Sequence, residues 1–145
     1  MAISSAICSS FKQELLQGKH SFESSGGHTF KLALFDSDAS LGASTTAYST
    51  SNEITNSSGT AYTAGGATLT SVTPTTDSTT AVCDFADVSY TSASFTANGA
   101  LIYNDSQSDK AVAVIAFGGD KTVSSGTFTI QFPTAAASNA IIRLA

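Results

Sequence analysis

The sequence predicts an all-β protein, an antiparallel, jelly-roll-like β-sandwich led by one N-terminal amphipathic helix. Three observations carry that expectation. After about residue 28 the chain breaks into eight short apolar-patterned segments punctuated by Gly, Asn and Asp turns. Phe128, Ile130 and Phe132 alternate with Thr127, Thr129 and Gln131, a period of two that places three large side chains on one face. Charged residues make up only 12% of the chain while Ser and Thr supply about 30%, so polarity rests on short hydroxyl side chains that suit strands and tight turns.

The opening helix is expected over residues 4–17. Ser4 or Ser5 can cap it, Ile3, Ile7, Phe11 and Leu15 recur every four residues, and Gly18 supplies a stop. Residues 29–35 form the first clear strand, with Phe30, Leu32 and Leu34 on one face and Lys31, Ala33 and Phe35 on the other. Residues 39–66 read as a long, partly ordered loop or a pair of short edge strands, with turn signals at Asn56-Ser57-Ser58-Gly59 and Gly65-Gly66. Strands are expected at 67–72, 80–85 and 88–90, with Pro74 confining its neighbours to a strand end or edge.

Residues 94–103 place Phe95, Ala97, Leu101 and Tyr103 together, and Asn104-Asp105 begins the turn into 111–117. The run AVAVIAF is apolar on both faces, which suits a central strand between covering layers. Gly118-Gly119-Asp120 then reads as a hairpin turn, Ser125-Gly126 as another, and 140–144 as a C-terminal strand. The expected core contains Phe30, Leu32, Leu34, Leu101, Val112, Val114, Phe128, Ile130 and Phe132. With 145 residues, the chain reads as a single domain, 1–20 being helix and lead-in and 21–145 the sandwich.

A net charge of -5 without a Lys or Arg cluster removes the footprint that phosphate binding needs, so nucleic acid is not an expected partner. No apolar run approaches the roughly 20 residues that span a bilayer, and residues 1–11 lack a signal-peptide pattern, so no membrane is expected and synthesis is expected in the cytoplasm. Cys8 and Cys83 stand far apart without ligand spacing and read as two buried small hydrophobes rather than a disulfide.

No catalytic, metal-binding or cofactor-binding residue is assigned. Asp36-Ser37-Asp38-Ala39-Ser40 begins like a calcium loop, but Leu41 stands where the turn Gly belongs and Ala47 where a bidentate Glu belongs. Gly118-Gly119-Asp120-Lys121-Thr122 lacks the first Gly and the following helix of a phosphate loop. Asp84 and Asp87, three apart across a strand end, diverge and have no flanking His. His20, His28 and Glu23 form an incomplete tetrahedral set, and no GxSxG elbow activates a serine.

Several strings, in order and across nearly the whole chain, resemble a family of small virion proteins of tailed bacteriophages. They are FKQELLQGKHSF (11–22), HTFKLALF (28–35), STTAYSTSNEI (44–54), AYTAGGATL (61–69), NGALIYN (98–104), KAVAVIAFGGDKTVSSGTFTIQFP (110–133) and AIIRLA (140–145). Asn98-Gly99 stands where an Arg-Gly or similar pair is expected in relatives. The resemblance implies a non-enzymatic structural protein located on the virion. The leading expectation is a capsid decoration or cement protein that binds the major capsid protein on the outside of the assembled shell, as a homotrimer. The alternative is a tail- or fibre-associated protein touching the host surface, with Tyr48, Tyr62 and Tyr90 as stacking residues.

Overall fold

The computed structural model of the chain describes residues 2–55 and 59–145. It is built on two antiparallel sheets that share one core, which bears out the all-β, sandwich-like expectation. The larger sheet has the order β1-β7-β6-β2-β3 and the smaller the order β4-β5-β8. The larger sheet contains β1 (Ala6–Ile7), β2 (Phe30–Phe35), β3 (Ala67–Thr68), β6 (Val88–Asn104) and β7 (Lys110–Ile130). The smaller sheet contains β4 (Ser71–Asp77), β5 (Thr80–Phe85) and β8 (Ile142–Leu144).

β2 is buried on both faces, because β6 and β3 flank it and aromatic rings cover it. Phe22 stacks on Phe30 at 4.4 Å between ring centroids, and Phe85 of β5 meets Phe30 at 5.7 Å, so these rings join the two sheets. β3 approaches β2 closely at Gly66. That residue has φ +84°, and a Cβ there would lie 1.9 Å from the Leu32 carbonyl oxygen, so only glycine fits. Pro74 lies in β4, an edge strand, at the point where its pairing with β5 slips between Val72 and Thr75.

The helix, α1, spans Ser9–Leu16, five residues shorter at its start than expected. Residues 6–8 are claimed by the sheet instead: Ala6 and Ile7 pair with Val114 and Ala113, and the Cys8 N–H donates to the Val112 carbonyl at 3.0 Å. Ile3 and Ile7 therefore lie on extended backbone, and only Phe11 and Leu15 of the expected stripe are helical. The C-terminus behaves as read. Gly18 takes φ +71°, its N–H donates to the Leu15 carbonyl and the Lys19 N–H to that of Glu14, a Schellman closure.

The largest departure concerns strand length. Where the sequence suggested several short segments, β6 runs for 17 residues and β7 for 21, forming one long hairpin around a 3-10 turn at Asp105–Gln107. Gly118-Gly119-Asp120 is not a hairpin turn. The pairing moves from Gly99↔Ala116 to Ala97↔Lys121, so these residues bulge out of a continuous strand. Ser125, at φ +48°, likewise sits in an irregularity of β7 and not at a chain reversal.

Residues 39–55 and 59–66 contain no strand, and isolated bridges Phe35↔Glu53 and Ala47↔Lys110 with buried Ala39, Ile54 and Tyr62 fix the segment to the sheet. Of the expected turn at Asn56 to Gly59, residues 56–58 lie outside the described residues. Seven of the nine expected core residues are buried; Phe128 and Phe132 are only half-buried.

Candidate interaction surface

The distal half of the β6–β7 hairpin is a two-stranded ribbon. β2 pairs with β6 only from Gly99 to Asn104, and β1 pairs with β7 only at Ala113 and Val114. Beyond Val114, no other strand among the described residues pairs along the outer side of β7. Alternation gives the ribbon two unlike faces. Val88, Tyr90, Ala93 and Ala97 point inward and are buried, with Phe95 and Phe128 half-buried beside them at 5.0 Å. The other face exposes Ser89, Thr91, Thr96, Thr122, Thr127 and Thr129. Cross-strand hydroxyl pairs join Ser89 to Thr129 at 3.1 Å and Thr96 to Thr122 at 2.8 Å. Asn98 donates to Asp120 Oδ1 at 2.9 Å where the bulge begins.

A second surface lies between α1 and the edge strand β8. Leu15, Leu16, Ile142 and Leu144 line an apolar groove of about 490 Å³, with Leu16 91% and Leu144 56% exposed. Its charged neighbours are both cations, Lys12 and Arg143.

The sequence-weighed residues fall into separate places. Asp36 Oδ1 accepts from the Asp38 N–H at 2.9 Å, the bond of a local turn. Asp84 accepts from its neighbour Phe85 N–H and Asp87 from the Phe132 N–H, so the two carboxylates serve different backbone groups. Cys8 and Cys83 are free, buried thiols; burial foremost pushes them up to about 11 and about 12. Among the described residues no group of three or more His, Cys, Asp or Glu could hold a metal ion, and no helix is long and apolar enough to cross a membrane.

The tyrosines are not on display. Glu53 gathers them: its Oε2 accepts from the Tyr48 hydroxyl at 2.6 Å, and its Oε1 from the Tyr62 hydroxyl at 2.5 Å and the Gly65 N–H at 2.7 Å. Tyr48 stacks on Tyr103 at 4.5 Å, and Tyr103 donates to the Gly65 carbonyl. Burial, then the Glu53 hydrogen bond, lifts the Tyr48 and Tyr62 phenols far above their usual 10. Tyr90 is pushed up to about 12 by burial, its hydroxyl beside the Ala67 backbone without an aligned hydrogen bond. These phenols clamp a strandless segment to β2 and β6.

His20 and His28 do converge, on an amide. Asn104, wholly buried at the end of β6, directs its Nδ2 at His20 Nδ1, 2.9 Å away, and at His28 Nδ1, 3.0 Å away. The carboxylate beside His20 is Glu14 of α1, at 3.3 Å, and not Glu23, which is exposed. Sequence reasoning passed over Asn104 because its neighbour Asp105 made the pair look like a turn, and Glu14 because it reads as the polar side of a helix. No family model matches the chain, and neither curated proteins nor solved structures give a match.

Proposed function

We propose that the chain is a non-enzymatic structural protein of a bacteriophage virion, a capsid decoration or cement protein that binds the outside of the assembled shell and stabilises it. Its partner is the major capsid protein, engaged as a homotrimer. The family resemblance supplies the virion. The distal ribbon is the observation that favours a contact role: a strand edge without a pairing strand offers main-chain donors and acceptors to a neighbour. The bulges at 117–120 and around Ser125 bend that edge, so identical ribbons do not simply zip together and a partner must match its shape.

Cementing needs area and complementarity rather than chemistry, on the order of 800 Å² per partner. The apolar groove beside Leu16 and Leu144 adds a second place to bury surface. The tail-associated alternative draws on Tyr48, Tyr62 and Tyr90, whose rings are engaged inside the fold, so it receives no support from them.

Purified protein added to expanded capsids that lack it is expected to bind at a fixed stoichiometry set by the shell and to raise the shell's resistance to heat. Binding is expected to change little with salt, because the six basic residues are scattered. Labelled protein found only at the tail tip would reject the decoration reading.

A further inference from the structure

The polar cluster around Asn104 has a defined donor and acceptor pattern. Asn104 Oδ1 accepts the Ser106 N–H at 3.1 Å, which fixes the orientation of the amide and turns its NH2 towards the two histidines. Both Nδ1 atoms must then accept, the role each ring fills when its proton is on Nε2. His28 Nδ1 takes a second hydrogen bond, from the Ser21 N–H at 3.2 Å, while the His28 N–H donates to the Ser21 carbonyl at 3.0 Å. The result ties the 18–29 segment, which connects α1 to β2, to the turn end of the long hairpin.

Protonation has no comfortable alternative here. A proton on either Nδ1 would face the Asn104 NH2, donor against donor. Turning the amide over would satisfy the imidazolium but would set the NH2 against the Ser106 N–H, exchanging one conflict for another. We infer that the Asn104 clasp is an acid-labile latch, holding the 18–29 segment against the hairpin turn while both Nδ1 atoms accept and loosening it when His20 takes a proton.

The surroundings of His20 set the direction. Its side chain is fully buried, Phe11 at 4.8 Å and Phe30 at 6.5 Å flank the ring, and desolvation foremost holds its pKa below the ordinary 6.5. Glu14 from α1 opposes this, but it approaches His20 Nε2 at 3.3 Å without hydrogen-bond alignment and is shared with Lys110 of β7 at 3.6 Å. Lys110 and His28 push the same way as burial. The neutral ring's contribution to stability is therefore complete above 6.5 and is lost as pH falls below that value towards the ring's own lowered pKa.

Two measurements on the intact protein test this. Nitrogen-15 spectra near neutral pH are expected to show an unprotonated Nδ1 on both rings. Hydrogen-exchange protection of the Ser21 and His28 amides is expected to fall about tenfold between about pH 7.5 and about pH 5, after correction for intrinsic exchange, while that of Ile102 in β6 holds. A His20→Asn, His28→Asn double variant, which keeps an acceptor oxygen near each Nδ1 position, should lose the pH dependence. An Nδ1–H tautomer on either ring, protection independent of pH in the wild-type protein, or pH dependence retained in the variant would overturn the latch. If the variant does not fold, the two wild-type measurements decide.

Discussion

The two halves of the β6–β7 hairpin are made of the same two strands and live in different environments. In the near half, Ala100, Leu101 and Ile102 and the facing run from Ala111 to Val114 are buried on both faces, between β2 on one side and β1 with α1 on the other. In the far half the neighbouring strands have stopped, one face is buried and the other is a field of hydroxyls. Strand length alone therefore says little about burial. The composition changes where the flanking strands end, from continuous apolar residues to alternating Ser/Thr and aromatic ones.

Substitutions ranked by depth would break this contrast if it is wrong. Leu101→Ala, at a fully buried near-half position, is expected to cost about 3 kcal/mol in urea unfolding, within the usual range for such truncations. Phe128→Ala, in the far half, is expected to cost about 1 to 2 kcal/mol despite removing a larger side chain, since the ring is half-buried. Equal losses at the two positions would mean that the ribbon is as enclosed as the central sheet. Thr122→Val, which removes the hydroxyl pairing with Thr96 on the open face, is expected to fall within about 0.5 kcal/mol of wild type.

Much of this architecture can be read from residues, and the exceptions share a cause. β2 and β5 appear almost at their expected bounds, because period two and flanking turn residues are local properties. The helix stop at Gly18 is legible for the same reason. The helix start is not, since Ser4, Ser5 and a four-residue apolar spacing suit a helix equally well, and a distant segment of β7 recruits residues 6–8 into the sheet. Gly118-Gly119-Asp120 and Ser125-Gly126 carry genuine turn chemistry. A bulge and a turn ask for the same backbone freedom, and only pairing on either side distinguishes them. Nothing local marks Glu53 as the acceptor of two phenols or Asn104 as the partner of two histidines, because those groups meet only through the fold.

The long hairpin also bears on how the chain finds its shape. Its strands are joined by residues 105–109, so pairing can begin beside a very short closed loop and proceed outward one neighbour at a time, with little entropy lost at each step. β8 is the opposite case. It must cross back to β5, joining Ile142 to Cys83 after every intervening element has been made. During synthesis the large sheet and the β4–β5 pair can therefore be in place before β8 is made, and the groove beside α1 acquires its second wall only when residues 142–144 arrive.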